Sequence, residues 1–205
     1  MQQEYSKPVN YISSQRIAKD IVQKMREFDL ETQIRTGDSY CKLQVNSELS
    51  SLATVLSWFE SLKDPLIPRR IWIECQTVLG EAFDNVVIHA HKDLPSTTVV
   101  EIGIKILSQL IIIKVWDQGP GFDLESQRFK VSQGVDDYAE HGRGIQILEK
   151  VADYFSYLSA PNGRNCLLIL KFFDEQSHFA NRHSSLGSFF EKLVSLDEID
   201  GECQL

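Results

Sequence analysis

Between Trp72 and His91 the chain reads WIECQTVLGEAFDNVVIHAH, and its apolar positions recur at helical spacing. With each residue turned about 100° around an axis, Cys75, Val78, Leu79, Ala82, Phe83, Val86, Val87 and Ala90 form one broad apolar arc. Glu74, Thr77, Glu81, Asp84, Asn85 and His89 share the other arc, with Ile88 as the one large apolar intruder. A helix apolar over so wide an arc is a core element, and its second flank lines either solvent or a site. Glu81 and Asn85 stand one turn apart, so a carboxylate and an amide project from the same side.

The rest of the chain falls into shorter rhythms. Residues 1–38 are polar; Ser13 or Ser14 can cap a helix to about Phe28 with a thin seam of Ile17, Ile21, Met25 and Phe28. That seam suits packing outside the domain or against a second subunit of a homodimer. Cys41, Leu43 and Val45 alternate with polar residues as a half-buried strand does. Asn46 or Ser47 then caps a helix carrying Leu49, Leu52, Val55, Leu56, Phe59 and Leu62. Two prolines make Lys63 to Arg70 a connection.

After the central helix, Val100 to Ile106 alternates with Glu101, Gly103 and Lys105, which predicts a strand with one wet face. Leu110 to Trp116 is apolar on nearly both faces and should be central and covered. Phe122 to His141 is long and polar, and connections of that kind are usually functional or mobile. A helix with Ile145, Leu148, Val151 and Ala152 on its buried side follows. Strands at Tyr154 to Ala160 and Cys166 to Phe173 are joined by Pro161-Asn162-Gly163. Beyond Asp174, Leu186, Phe189, Phe190, Leu193 and Val194 mark one amphipathic helix before an acidic tail.

Hairpin-linked strands cannot all be parallel. The expected fold class is therefore an α/β (α+β) two-layer sandwich, with helices on one face of a mixed, mainly antiparallel sheet. The domains divide as 1–38, an N-terminal extension; 39–173, the folded core; and 174–205, a C-terminal extension.

Composition narrows the partners. Hydrophobic residues make up 42% of 205, enough for one filled core. The net charge of -8, from 21 basic and 29 acidic residues, argues against nucleic acid or an anionic membrane as main partner. Backbone amides can still hold a phosphate. Cys41, Cys75, Cys166 and Cys203 are scattered without metal spacing, as core thiols of a reducing compartment are. No signal-like or bilayer-length apolar stretch occurs, and the expected location is the cytoplasm.

Three short elements carry candidate chemistry. Glu81-x-x-x-Asn85 lies on the central helix. Asp117-x-Gly119-x-Gly121 ends the buried strand, where an aspartate needs a partner and can accept from an exocyclic amine. Gly119 and Gly121 would let a flat ring approach the backbone. Gly142-Arg143-Gly144 opens a helix, where free amides and the positive helix end favour an anion and Arg143 can add a charged contact. Each alone also fits an ordinary solvated face, strand-ending turn or loop-to-helix turn. His89 and His91 sit two apart, point in different directions and form no metal pair; His89 is read as a surface residue or a neighbour of the site. The GxxxxGK[ST] loop, a GxGxxG after a strand, the lysine and HRD elements of eukaryote-type kinases and the GxSxG elbow are all absent.

In this order, EAFDNVVIHAH, DQGPGF and HGRGIQIL resemble the N-box and the two glycine boxes of the GHKL ATPase superfamily. The EAFDN form and the helix before it resemble the bacterial anti-sigma factor serine-protein kinases. The likeness covers roughly Tyr40 to Phe173. It implies the Bergerat ATP-binding fold with ATP and Mg²⁺ as cofactors. By that resemblance Asn85 would hold the metal through its amide oxygen, a hard ligand for a hard cation. Glu81 would be the general base. Asp117 would accept from the adenine amine, Gly119 and Gly121 would let the base dock, and Gly142, Arg143 and Gly144 would cradle the phosphates. Residues Phe122 to His141 would form the lid. The family often places small hydroxyl residues after the glycine of the last hairpin; here Arg164 and Asn165 follow Gly163, and Asn165 would make a modified contact.

Two functions follow from the likeness. One is a kinase that phosphorylates a serine of a STAS-type anti-anti-sigma protein and sequesters a sigma factor. The other is a binding module in which ATP selects the partner with little or no transfer. Glu81 favours the first. A sensor histidine kinase fits less well, without a membrane span or an upstream phospho-accepting His.

Overall fold

The computed structural model describes residues 40–124, 143–160 and 162–173. The helices expected in the two terminal extensions, Cys203, and the greater part of the Phe122 to His141 connection, with Gly142, lie outside those residues.

Five strands form one sheet: β1 (Cys41–Asn46), β2 (Val99–Ile106), β3 (Leu110–Asp117), β4 (Tyr154–Ser159) and β5 (Asn165–Phe172). Their order is β1-β2-β3-β5-β4, and all four described pairings are antiparallel. Against one face pack α1 (Leu52–Ser61), entered through a 3-10 turn at Leu49–Ser51, α2 (Arg69–Asn85) and α3 (Arg143–Val151). This is the two-layer Bergerat arrangement that the motifs imply.

Register explains where the core stops and a site begins. Leu43, Ile102, Val115, Leu167 and Tyr157 lie in one row across all five strands. Beside it runs a second row of Cys41, Ile104, Ile113, Ile169 and Phe155. Continuing the first row's face to the end of β3, the next partners are Asp117, Asn165 and Ser159, all polar. The sheet thus turns from apolar to polar at one edge of the helical layer.

Helix α2 buries Ile71, Trp72, Cys75, Val78, Leu79, Ala82 and Phe83, the arc that the spacing predicts. It joins α1 by stacking Trp72 on Phe59, ring centroids 4.2 Å apart, while the indole N–H donates to Glu60 at 2.8 Å. That bond is the main cause holding the Glu60 carboxyl below its ordinary range. On β5, Lys171 donates to the Val151 carbonyl at the end of α3 (2.7 Å) and pairs with Glu74 of α2 (2.8 Å), a cation at a helix C-terminus. Burial pushes the Cys75 thiol up to about 12. The three described cysteines form no disulfide with one another. No described helix is long and apolar enough to cross a membrane.

Three expectations need correction. The central helix does not keep one pitch: it begins at Arg69 and widens into a π turn over Val86–Ala90, where the His91 amide donates five residues back to Val86 (2.8 Å). The first helix starts later than its apolar pattern suggests, leaving Leu49 exposed in the 3-10 turn, and neither flanking residue caps it with a side chain. The supposedly wet face of β2 is closed, with Glu101 only 9% and Lys105 6% exposed. Its neighbours on that face, Leu110, Ile112, Leu168 and Leu170, are buried too. Polar letters in an alternating strand therefore did not mean water. Glu101 is held instead by Gln44 at 2.8 Å and Arg164 at 3.4 Å.

Candidate functional site

At the polar end of β3, Asp117 is almost completely buried and every one of its described contacts is a donor. Oδ1 accepts from the Gly119 amide at 2.9 Å and from Asn165 Nδ2 at 3.0 Å, and Oδ2 accepts from the Tyr157 hydroxyl at 2.8 Å. Asn165 also donates to the Gly119 carbonyl (3.0 Å), and its own Oδ1 accepts from Ser159 (3.0 Å). Hydrogen bonds to an ionised acceptor are the stronger kind, so this end is stiff. A carboxylate oxygen offers two lone-pair sites, and Oδ2 has one bond where Oδ1 has two. The remaining acceptor capacity is therefore on Oδ2, beside Tyr157. Burial, reinforced by Asp117, pushes the Tyr157 phenol far above its ordinary value, so the group stays a donor. Phe122, half exposed, lies over Tyr157 with ring centroids 4.3 Å apart.

Backbone contact fixes the glycines here. A Cβ on Gly119 would come within 2.4 Å of the Ala90 carbonyl oxygen, so the turn after β3 is pressed against the π turn. Gly121 has φ 78, a conformation side chains disfavour, and sits against Asn165. His91, 3% exposed, closes the same junction. Its Nε2 accepts from the Gln118 amide at 2.9 Å and its Nδ1 meets Ser47 Oγ at 3.0 Å.

The second half of the site lies where α2 meets α3. A Cβ on Gly144 would stand 2.8 Å from Asn85 Nδ2 and 3.3 Å from Glu81 Oε2. Gly144 therefore brings the first turn of α3 directly onto the Glu81 and Asn85 side chains. Both are half-buried, and neither has a hydrogen-bond partner among the described residues. Next to them Asp84 has a buried Oδ1 that also lacks a partner, and burial raises its carboxyl above the ordinary range. Arg143 opens α3 in the backbone; its side chain and Gly142 lie outside the description.

These two halves fit a nucleotide. An aspartate with acceptor capacity sits at one end, and glycine-lined backbone leads from it. An uncommitted amide and carboxylate stand beside a helix start at the other. Among the described residues no group of three or more His, Cys, Asp or Glu could hold a metal. The amide oxygen of Asn85 is a hard donor of the kind that magnesium takes.

Sequence reasoning therefore names the residues at both ends, and the structure gathers Asp117, Gly119, Gly121 and Asn165 at one and Glu81, Asn85 and Gly144 at the other. It missed Tyr157, Ser159, Ser47 and His91. Alternation along β4 could have found Tyr157, since it shares the inward face with Phe155. In the sequence Ser47 looks like an alternative to Asn46 as a helix cap, and His91 like one of two divergent histidines.

A family model described as a histidine kinase-like ATPase domain matches residues 45–171. Serine-protein kinase RsbW of Staphylococcus aureus is 27% identical over 93 residues, 43% of this chain and 58% of that protein. The anti-sigma F factor of Pasteuria penetrans is 27% identical over 99 residues, 48% of this chain and 66% of that one. The chain thus spans less than two thirds of the length of either relative.

Proposed function

The chain belongs to the family of histidine kinase-like ATPase domains, and on that premise we propose that it is an ATP-dependent anti-sigma regulator. In this reading it phosphorylates a serine of a STAS-type antagonist in the cytoplasm and sequesters a sigma factor when the antagonist is absent. The observation that carries it is the pair Glu81 and Asn85, against Gly144 and without side-chain partners among the described residues. Groups kept uncommitted in a packed interior suit a ligand or a reaction better than they suit stability.

Asp117 would accept from the adenine amine at Oδ2. Because Asp117 is only 1% exposed, the Tyr157 hydroxyl or its neighbours must give way for a base to reach it. The backbone at Gly142, Arg143 and Gly144 would face the phosphates, and Asn85 would hold magnesium through its amide oxygen. The ion supplies charge neutralisation at the phosphates. Glu81 would accept the proton of the antagonist's serine as its oxygen attacks the γ-phosphorus and ADP departs.

The test is transfer of labelled γ-phosphate to a candidate antagonist. Glu81→Gln is expected to bind ATP as the wild type does and to lose transfer by roughly 10²- to 10⁴-fold. A wild-type protein that changes partners with ATP yet transfers nothing would replace the kinase reading with the ATP-dependent binding module.

A further inference from the structure

Ser47, His91 and Gln118 come from three segments that are far apart in sequence: the exit from β1, the end of the π turn and the exit from β3. They meet in one hydrogen-bonded line, buried at Ser47 and His91 and reaching the surface at Gln118. Ser47 is tied in turn to the strand entry before β2, its amide donating to the Thr98 carbonyl at 2.9 Å, and the Gln118 side chain reaches the Val99 carbonyl at 3.3 Å. The π turn makes the line possible, because its extra residue carries the chain around to deliver a buried His91.

The partners decide the proton. A backbone amide can only donate, so His91 Nε2, 2.9 Å from the Gln118 nitrogen, carries none. The ring's single proton then sits on Nδ1 and is donated to Ser47 Oγ. A second proton would set two N–H groups against each other at Nε2. The turn that would be released is Gln118-Gly119, the one pressed against Ala90 and bonded to Asp117 and Asn165.

We propose that His91 is a proton-gated positioning residue for the base end of the nucleotide site: neutral, it braces the Gln118-Gly119 turn, and protonated, it lets that turn go. This rests on the nucleotide reading above for its functional consequence, but the gate itself does not. Asp117 is the charged group facing the ring from β3 and favours the cation. Glu48 beside Ser47, and Lys92 and Asp93 after the π turn, are exposed, and His89 is half-buried. Burial outweighs Asp117 and holds the imidazole below its ordinary 6.5. The folded state thus favours neutral His91. Its contribution is complete above about pH 6.5 and is lost as the pH falls through the lowered value.

The experiment follows a non-hydrolysable ATP analogue with magnesium binding to the full chain as the pH is lowered from about 7.5 through the depressed His91 range. Wild-type affinity should fall below about pH 6.5, approaching a tenfold loss once the ring is protonated, the loss of roughly one hydrogen bond. His91→Gln can accept from Gln118 and donate to Ser47 without titrating, so it should keep affinity at the upper pH and lose the slope. His91→Leu should bind about tenfold more weakly throughout. Equal slopes in wild type and His91→Gln, or wild-type affinity in His91→Leu, overturn the proposal. In the nucleotide-free protein the Gln118 backbone amide resonance should move with pH in wild type and stay still in His91→Gln. A Gln118 amide indifferent to pH also overturns it. A moving amide in a protein that never binds the analogue would instead sink the ATP reading and leave the brace in place.

Discussion

The two ends of the candidate site are built in opposite ways. Around Asp117 the polar groups are largely bonded to one another: Gly119, Asn165, Tyr157 and Ser159 form a network that leaves capacity only on Oδ2, and His91 braces the turn beside it. Around Glu81 and Asn85 no side-chain hydrogen bond is made among the described residues, and the first turn of α3 at Gly144 stands against them. A connected network in low dielectric is rigid and resists change. An unsaturated pair keeps its donors and acceptors for whatever arrives. The contrast fits a seat that recognises a fixed shape and a reacting end whose contacts must change during turnover.

Substitutions should separate the two ends. The largest effect is expected for Asp117→Asn, which faces donors with an amide. At a ligand concentration of about a hundred times Kd, ATP with magnesium should stabilise the wild type by about 2.7 kcal/mol. This variant should lose most of that gain in a melting experiment; an unchanged shift would remove Asp117 from the site. Next comes Asn165→Ala, which strips a donor from both Asp117 and the Gly119 carbonyl and should cost about 1–3 kcal/mol in urea unfolding. A neutral result would mean the network is not the source of stiffness.

Smaller effects belong to the other end. Gly144→Ala meets the movable tip of Asn85, so stability should change by less than about 1 kcal/mol while affinity for the ATP analogue falls. Glu81→Gln should sit within about 0.5 kcal/mol of wild type in the absence of nucleotide, because no described partner is lost. A clear destabilisation by Glu81→Gln would erase the distinction between the two ends.

Much of this was legible before any coordinates. Strand alternation and the apolar run at Leu110 to Trp116 give the sheet, and an aspartate closing so apolar a strand had to have partners. Asn165 was recoverable because an amide can donate where a hydroxyl would. The π turn was not, since a backbone hydrogen bond that slips by one residue leaves no periodicity to read. With it went His91, whose direction under a 100° rule is wrong by the width of that slip. Glu101 and Lys105 misled for another reason: a charged side chain with partners can be buried, and the pairing of Glu101 with Arg164 across the sheet has no local signature.

The thiol of Cys75 faces the core from the same helix that carries Glu81 and Asn85. Alkylating agents and oxidants attack the thiolate, and at about 12 that form is all but absent while the helix stays packed. Covalent labelling of this sulfur therefore proceeds only through moments when α2 lifts from the sheet. The segment bearing the reacting groups carries its own chemical clock, and the rate of modification counts its openings.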